Sequence, residues 1–298
     1  MMETALSTIQ SVFKRLNLSY PTSLLSQTDP AKLEQIEWLY QTCEELRRMG
    51  PFRQQIVTHD FSTTSSINTY PLPGHYYETV PLTHYNQDTN WKLIGPLPDY
   101  VFQDFKEGAA ALPSEYIWRI KGFDENSSSA SGRQIELYPT PTATENLTFD
   151  FVSAHLFVPP NWAASTAYTS GDYVNLNGRI YLCDTNGTSG STGPTGTDDD
   201  QSDGSTQWDH YDQPYDIINS DSDVCIFDAD VVKLGIRAKY FEDREKPLAN
   251  RAMSEYNKAI EKMRYRWEGQ TRARGDLRGI GGRGLHRPYV QPGSWSWV

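Results

Sequence analysis

The stretch DPAKLEQIEWLYQTCEELRRMGP, residues 29–51, sets the frame of this chain. Asp29 fits an N-cap and Pro30 the first helical position, where a missing N–H costs nothing. Gly50-Pro51 stops the helix. Between these signals Leu33, Ile36, Tyr40, Cys43 and Leu46 recur at three and four, which predicts one buried stripe. Upstream, residues 4–17 place Leu6, Ile9, Phe13 and Leu16 on a single face, completing a helical hairpin. Near the other end Asp228 fits a second N-cap, followed in register by Val231, Leu234, Ala238 and Phe241. A longer helix around Pro247 carries Leu248, Ala252, Tyr256, Ala259, Met263 and Trp267. Helix pairs at both ends predict an antiparallel bundle built from residues 1–50 and 222–268.

Between the pairs the texture is that of strands. Gln55–Thr58, Tyr76–Leu82, Trp91–Ile94, Tyr116–Ile120, Gln134–Tyr138 and Leu147–Val158 are β-rich runs separated by Pro, Gly, Asn and Ser. They predict an antiparallel β-domain over 51–158, with Ser127–Ser131 as an exposed hairpin tip. The fold class expected is therefore α+β, with the β-domain an excursion from the bundle. Residues 159–212 form a further, small all-β insertion, rich in Asp and with Arg179 as its lone basic residue. Asp172-Tyr173-Val174 and Ile180-Tyr181-Leu182 alternate as short strands around the strong turn signal Asn177-Gly178. The polar centre of the insertion, TNGTSGSTGPTGTDDDQSDGST, is expected to be a solvated loop.

The last thirty residues, Gly269 to Val298, differ again. Five arginines against one aspartate give them +4, leaving −15 for the first 268 residues of a chain whose net charge is −11. Their apolar periodicity is too weak for a core of their own. Trp295 and Trp297 are nevertheless costly to leave in water. The expectation is an extended arm that docks on another protein through Arg283, Arg287, Tyr289, Trp295 and Trp297; a disordered end is the alternative. No run of about eighteen apolar residues suggests a membrane span. The opening residues MMETALSTIQSVFKRLNL lack the pattern of a secretion signal, and Cys43, Cys183 and Cys225 fit neither a disulfide framework nor a metal knuckle. Synthesis in a reducing cytoplasm with free thiols is the plain expectation. The acidic body argues against wrapping nucleic acid.

Two resemblances add to this reading. Trp162, Tyr168, Gly171-Asp172, Val174, Gly178, Tyr181 and Trp208 resemble the core of the small chitin-binding type carbohydrate-binding module. That likeness implies sugar stacking on Trp162, Tyr181 or Trp208, whereas the residues read by themselves favour a miniature core. Cys183-Asp184-Thr185-Asn186 also lacks the aromatic pair that sugar-binding members carry there. The whole layout resembles the head-to-tail adaptor, or connector, of short-tailed bacteriophages. The likeness rests on ALSTIQSVFKRLNL, DPAKLEQIEWLYQTCEELRRMGPF, Trp91-Lys92-Leu93-Ile94-Gly95 and the closing FDADVVKLGIRAKYFEDREKPLANRAMSEYNKAIEKMRYRW. It implies a virion protein at the head–tail junction, made in the host bacterial cytoplasm. Such a protein forms a ring of generally twelve copies between the portal protein and the tail nozzle protein, and genomic DNA passes through its acidic lumen without specific binding. A carbohydrate-binding adhesin or wall-binding accessory is the alternative.

Catalytic and cofactor signatures are thin. Gly279-Ile280-Gly281-Gly282-Arg283-Gly284 spells a dinucleotide fingerprint but lacks the strand and helix that must flank it. Asn219, Asp221, Asp223 and Asp230 loosely echo a calcium loop, with Val224 where glycine is needed. The six histidines form no local ligand pair. No enzyme activity, cofactor or metal is expected.

Overall fold

The computed structural model describes residues 3–108, 115–122 and 133–276. Five helices run α1 (Ala5–Arg15), α2 (Pro30–Met49), α3 (Asp99–Lys106), α4 (Ala229–Arg244) and α5 (Lys246–Asp276). Strands β1 (Ile56–Ser62), β2 (Thr69–Pro71), β3 (Tyr76–Thr79), β4 (Tyr85–Asn86), β5 (Trp91–Lys92), β6 (Ile117–Lys121), β7 (Gln134–Tyr138), β8 (Asn146–Ser153) and β9 (Phe157–Val158) lie between α2 and the insertion. The insertion holds β10 (Ala167–Tyr168), β11 (Tyr173–Leu176), β12 (Arg179–Thr185), β13 (Gly187–Thr188), β14 (Gln201–Asp203) and β15 (Thr206–His210), and β16 (Val224–Cys225) precedes α4. The chain is thus α+β with antiparallel sheets.

The helix caps work as the sequence requires. Asp29 accepts from the backbone N–H of Ala31 at 3.0 Å, and Asp228 from that of Asp230 at 2.9 Å. Helices α1, α2, α4 and α5 all contribute to one apolar cluster. Packing is close at Gly235, where an added Cβ would meet Thr42 of α2 at 2.3 Å and the Tyr256 ring of α5 at 3.0 Å. The buried face of α2 differs from the expected stripe. Leu33 is exposed, while Gln35, Trp38, Leu39 and Thr42 join Ile36, Cys43 and Leu46 inside. The cause is that α2 packs against both α1 and α4, so its covered arc is wider than one stripe. On α5 the buried residues are Ala252, Tyr256 and Ile260; Leu248 is exposed, and the side chain of Trp267 lies outside the described residues. Helix α5 also continues to Asp276, through the first eight residues assigned above to the arm.

The β-domain is two facing sheets. One has the order β1-β8-β4-β5 with β3 also on β8, and the other β2-β7-β6. Leu147, Phe149 and Phe151 of β8 meet Tyr70, Trp118, Ile135 and Leu137 of the second sheet in a shared core. The short helix α3, absent from the sequence expectation, docks beside β6: its Lys106 and Arg119 of β6 both bond the buried Glu136 of β7, at 3.1 and 2.6 Å. The expected hairpin tip at 127–131 lies outside the described residues. The insertion leaves after β9 and the chain returns at β16, which pairs with β9 through Val224–Val158 and Cys225–Phe157.

Candidate functional site

Three places carry the side chains of interest, and the insertion comes first. Its sheet β11-β12-β15-β14 turns at Asn177 and Gly178, both with positive φ, as the turn signal requires. Tyr181 and Trp208 are fully buried, and Trp162 is partly buried against them. The indole N–H groups of Trp162 and Trp208 donate to the same Oδ2 of Asp203, at 2.9 and 3.2 Å, and the Tyr181 hydroxyl donates to the Gly196 carbonyl at 3.0 Å. These rings are the core of the insertion, so stacking a sugar on Tyr181 or Trp208 is sterically closed.

The polar loop is also more than a solvated tether. Gly193 sits so close that a Cβ there would meet Leu176 at 2.6 Å and the Trp162 ring at 3.1 Å. Gln201 Oε1 accepts from the backbone N–H groups of Thr195 and Gly196, at 3.1 and 2.7 Å, and Asp203 Oδ1 from that of Gly190 at 2.7 Å. Glycine lets the backbone lie flat on an indole, and its polar groups are satisfied from within. A depression of about 250 Å³ lined by Leu176, Asn177, Arg179, Tyr181, Pro194 and Thr195 remains beside it. The Arg179 guanidinium there already donates to the Thr195 carbonyl at 2.9 Å.

The second place is a histidine junction that sequence spacing does not reveal. His75, from the β2–β3 loop, stacks on His155, just after β8, with ring centroids 4.4 Å apart. His75 Nδ1 lies 3.2 Å from Asp212 Oδ1, and Gly74 N donates to Asp212 Oδ2 at 2.8 Å. His155 Nδ1 accepts from Tyr215 N at 2.8 Å, which leaves Nε2 to carry the ring proton. His59 of β1 and His210 of β15 complete the group, both feeling the charge of Asp212. Burial pushes His155 down to about 3, helped by His75, and burial also lowers His59 and His210. For Asp212, burial works upward but the hydrogen bonds from His75 and Gly74 outweigh it, leaving the carboxyl below its usual range. The described residues contain no group of three or more side chains arranged to hold a metal ion. Chemically the junction is a joint of imidazoles around one carboxylate, tying the β-domain to the end of the insertion.

The third place is the outer surface. An open depression of about 510 Å³ on α2 and α4 is lined by Glu37, Tyr40, Gln41, Glu44, Glu45, Arg48, Met49 and Lys239, with Lys239 and Glu45 paired at 3.0 Å. On the β-domain Leu82, Tyr85, Trp91 and Ile94 are exposed around the β4–β5 hairpin, whereas Leu93 is buried. Gly95, at φ +158°, passes within 2.8 Å of the Trp118 ring, measured from an added Cβ. Hence the Trp91–Gly95 segment shows two apolar side chains outward while its backbone is clamped behind.

Two of the carboxylates that echo a calcium loop are engaged in local structure, while Asp230 points into solvent. Asp223 is buried and accepts from Asn219 N, Ser220 N and the Tyr215 hydroxyl, at 2.7, 3.0 and 3.0 Å. Asp221 accepts from Leu24 N at 2.7 Å. Arg283, Arg287, Tyr289, Trp295, Trp297 and the glycine-rich run 279–284 lie outside the described residues. Among the described residues no helix is long and apolar enough to cross a membrane. No protein-family model matches the chain, and no curated protein matches it.

Proposed function

We propose that this chain is a structural virion protein, a ring-forming head-to-tail adaptor that joins a portal to a tail nozzle in a short-tailed bacteriophage. The observation that carries the reading is the chain's return. Helices from both sides of the sequence enter one apolar core, and the chain between them runs out mainly as β-structure, touching that core again at Leu156, Phe157, Ile180, Tyr215 and Ile218. In this reading α1, α2, α4 and α5 act as an antiparallel bundle whose flanks meet neighbouring copies. The exposed Leu82, Tyr85, Trp91 and Ile94 supply apolar contact to the tail nozzle. The residues after α5 dock on the portal, with Trp295 and Trp297 as anchors of the kind that dominate interfaces. The acidic body suits a channel through which DNA passes without sticking. No enzymatic step, cofactor or membrane contact enters the mechanism.

The carbohydrate-binding reading has no comparable support, because its aromatic candidates are engaged in packing and in bonds to Asp203 and Gly196. Light scattering on the chain alone, and mixed with its phage's portal ring, tests the adaptor reading. A stoichiometric complex that is lost when residues 285–298 are removed is the expected result. No complex with the authentic portal refutes it, and retention on chitin would then revive the alternative.

A further inference from the structure

Cys43 and Cys225 are far apart in the chain, yet their Sγ atoms lie 3.2 Å apart. Both side chains are buried in the main apolar core. Each is held by its surroundings. Cys43 sits in α2 beside Thr42, which packs so closely on Gly235 of α4 that an added Cβ there would lie 2.3 Å from its methyl. Cys225 sits in β16, registered on Phe157 of β9, and the preceding Val224 also bridges to Thr4. A disulfide needs about 2.05 Å between sulfurs, so closure takes roughly 1.2 Å of movement. The remaining thiol, Cys183, belongs to the separate core of the insertion and points to the Thr185 carbonyl at 3.3 Å.

We propose that Cys43 and Cys225 are an oxidative modification site, forming an internal disulfide on reaction with a small-molecule disulfide of the oxidised glutathione type. One protein thiol gives its proton to water, and its thiolate attacks a sulfur of the oxidant, expelling one small thiolate. The second protein thiolate attacks the protein sulfur of that mixed disulfide and expels the other. Two S–H bonds break and one protein S–S bond forms. The chain loses two electrons and two protons, and the oxidant leaves as two thiols.

Burial pushes the Cys43 thiol well above its usual range, with Cys225 adding to the effect, so attack is slow while the core is closed. Entry requires a local opening of β16, a strand of two residues. The product then resists reductant for the same reason. The bond would tie α2 to the residues just before α4 and enclose the β-domain and the insertion in one covalent loop. This holds whatever partner the chain binds.

The test uses the full chain, incubated with oxidised glutathione in mild urea and then returned to buffer. The expected product is lighter by two hydrogens and yields a Cys43–Cys225 cross-linked peptide on non-reducing digestion. Its melting temperature exceeds that of the reduced chain by roughly 5–10 °C. Cys183→Ala keeps this difference, while Cys43→Ala and Cys225→Ala each abolish it. Because the readout compares oxidised with reduced samples of the same variant, a general loss of stability does not mimic it. Retention of both thiols, glutathione adducts alone, or a cross-link through Cys183 would overturn the proposal.

Discussion

Trp162 and Trp208 share one acceptor: both indole N–H groups converge on Oδ2 of Asp203, whose other oxygen holds the N–H of Gly190. One buried carboxylate therefore fixes two rings and the loop that covers them. Replacing Asp203 by Ala leaves three donors without their partner, and each unsatisfied buried donor costs about 1–3 kcal/mol. The expected loss is about 3–5 kcal/mol after local relaxation, read as a lower urea midpoint and a weakened near-ultraviolet tryptophan signal. Asp203→Asn should lose less, since its amide keeps one acceptor oxygen. Equal losses for the two variants would show that the shared bond matters little.

Gly235 opposes two effects in one substitution. Alanine is the better helix former by about 1 kcal/mol. Its Cβ, however, would lie 2.3 Å from Thr42 Cγ2 and 3.0 Å from the Tyr256 ring, with α2, α4 and α5 already in contact. Overpacking of a close core costs about 1–3 kcal/mol, so Gly235→Ala should be net destabilising. A thermal melt decides the sign. Thr42→Ser in the same background should restore part of the loss by removing the clashing methyl.

Acid should unlock the molecule at its histidines. Burial takes His84 and His155 down to about 3, with Lys92 and His75 respectively adding to the effect. His84 lies between the rings of Trp118 and Phe149, 3.9 and 4.8 Å away. Unfolded, each titrates near about 6.5. Between those values only the unfolded chain takes up the proton, so this stability is whole above about pH 6.5 and falls as the pH drops towards about 3. The slope is ~1.4 kcal/mol per pH unit for each histidine, or about 2 kcal/mol each at about pH 5. Urea midpoints at neutral and mildly acid pH measure it. His84→Gln should flatten the slope, and an unchanged slope would place the acid sensitivity elsewhere.

The Glu136 carboxylate makes the opposite case. Burial works to raise it, but hydrogen bonds from Arg119 and Lys106 outweigh burial and hold it below its usual range. Its contribution is therefore present above the ordinary carboxylate value and lost as acid protonates the folded form. Arg119→Met removes both donors to Glu136 Oε2 while Lys106 keeps Oε1, and it should cost about 1.5–3 kcal/mol. The double change Arg119→Met with Glu136→Met should recover part of that, because the buried oxygen that lost its donors is then gone. A double-mutant cycle by urea unfolding checks both statements.

The helix boundaries were legible because caps are local chemistry: Asp29, Pro30, Gly50 and Asp228 act within one turn of themselves. The Asn177-Gly178 hairpin was legible for the same reason. Which face of α2 is covered was only partly so, since Trp38 and Thr42 are buried by helices close to two hundred residues further on. Helix α3 and the strands β2 and β4 are too short for periodicity to register. Composition misled at the polar loop, where glycines permit contact with Trp162 that polarity seemed to forbid. The joint of His59, His75, His155 and His210 left no trace in spacing, because it exists only once separate strands are in register.

The pairing of Thr4 with Val224, and the shared core of α1 and α2 with α4, also set the order of events at the ribosome. About 180 residues separate the end of α2 from the start of α4. At roughly 5–20 residues per second, the apolar faces of α1 and α2 wait about 10–40 s for the helix that covers them. During that interval the β-domain and the insertion can close on their own cores, while the first-made helices are the last to be buried. A nascent chain arrested before Ala229 is therefore the form that chaperones should hold longest.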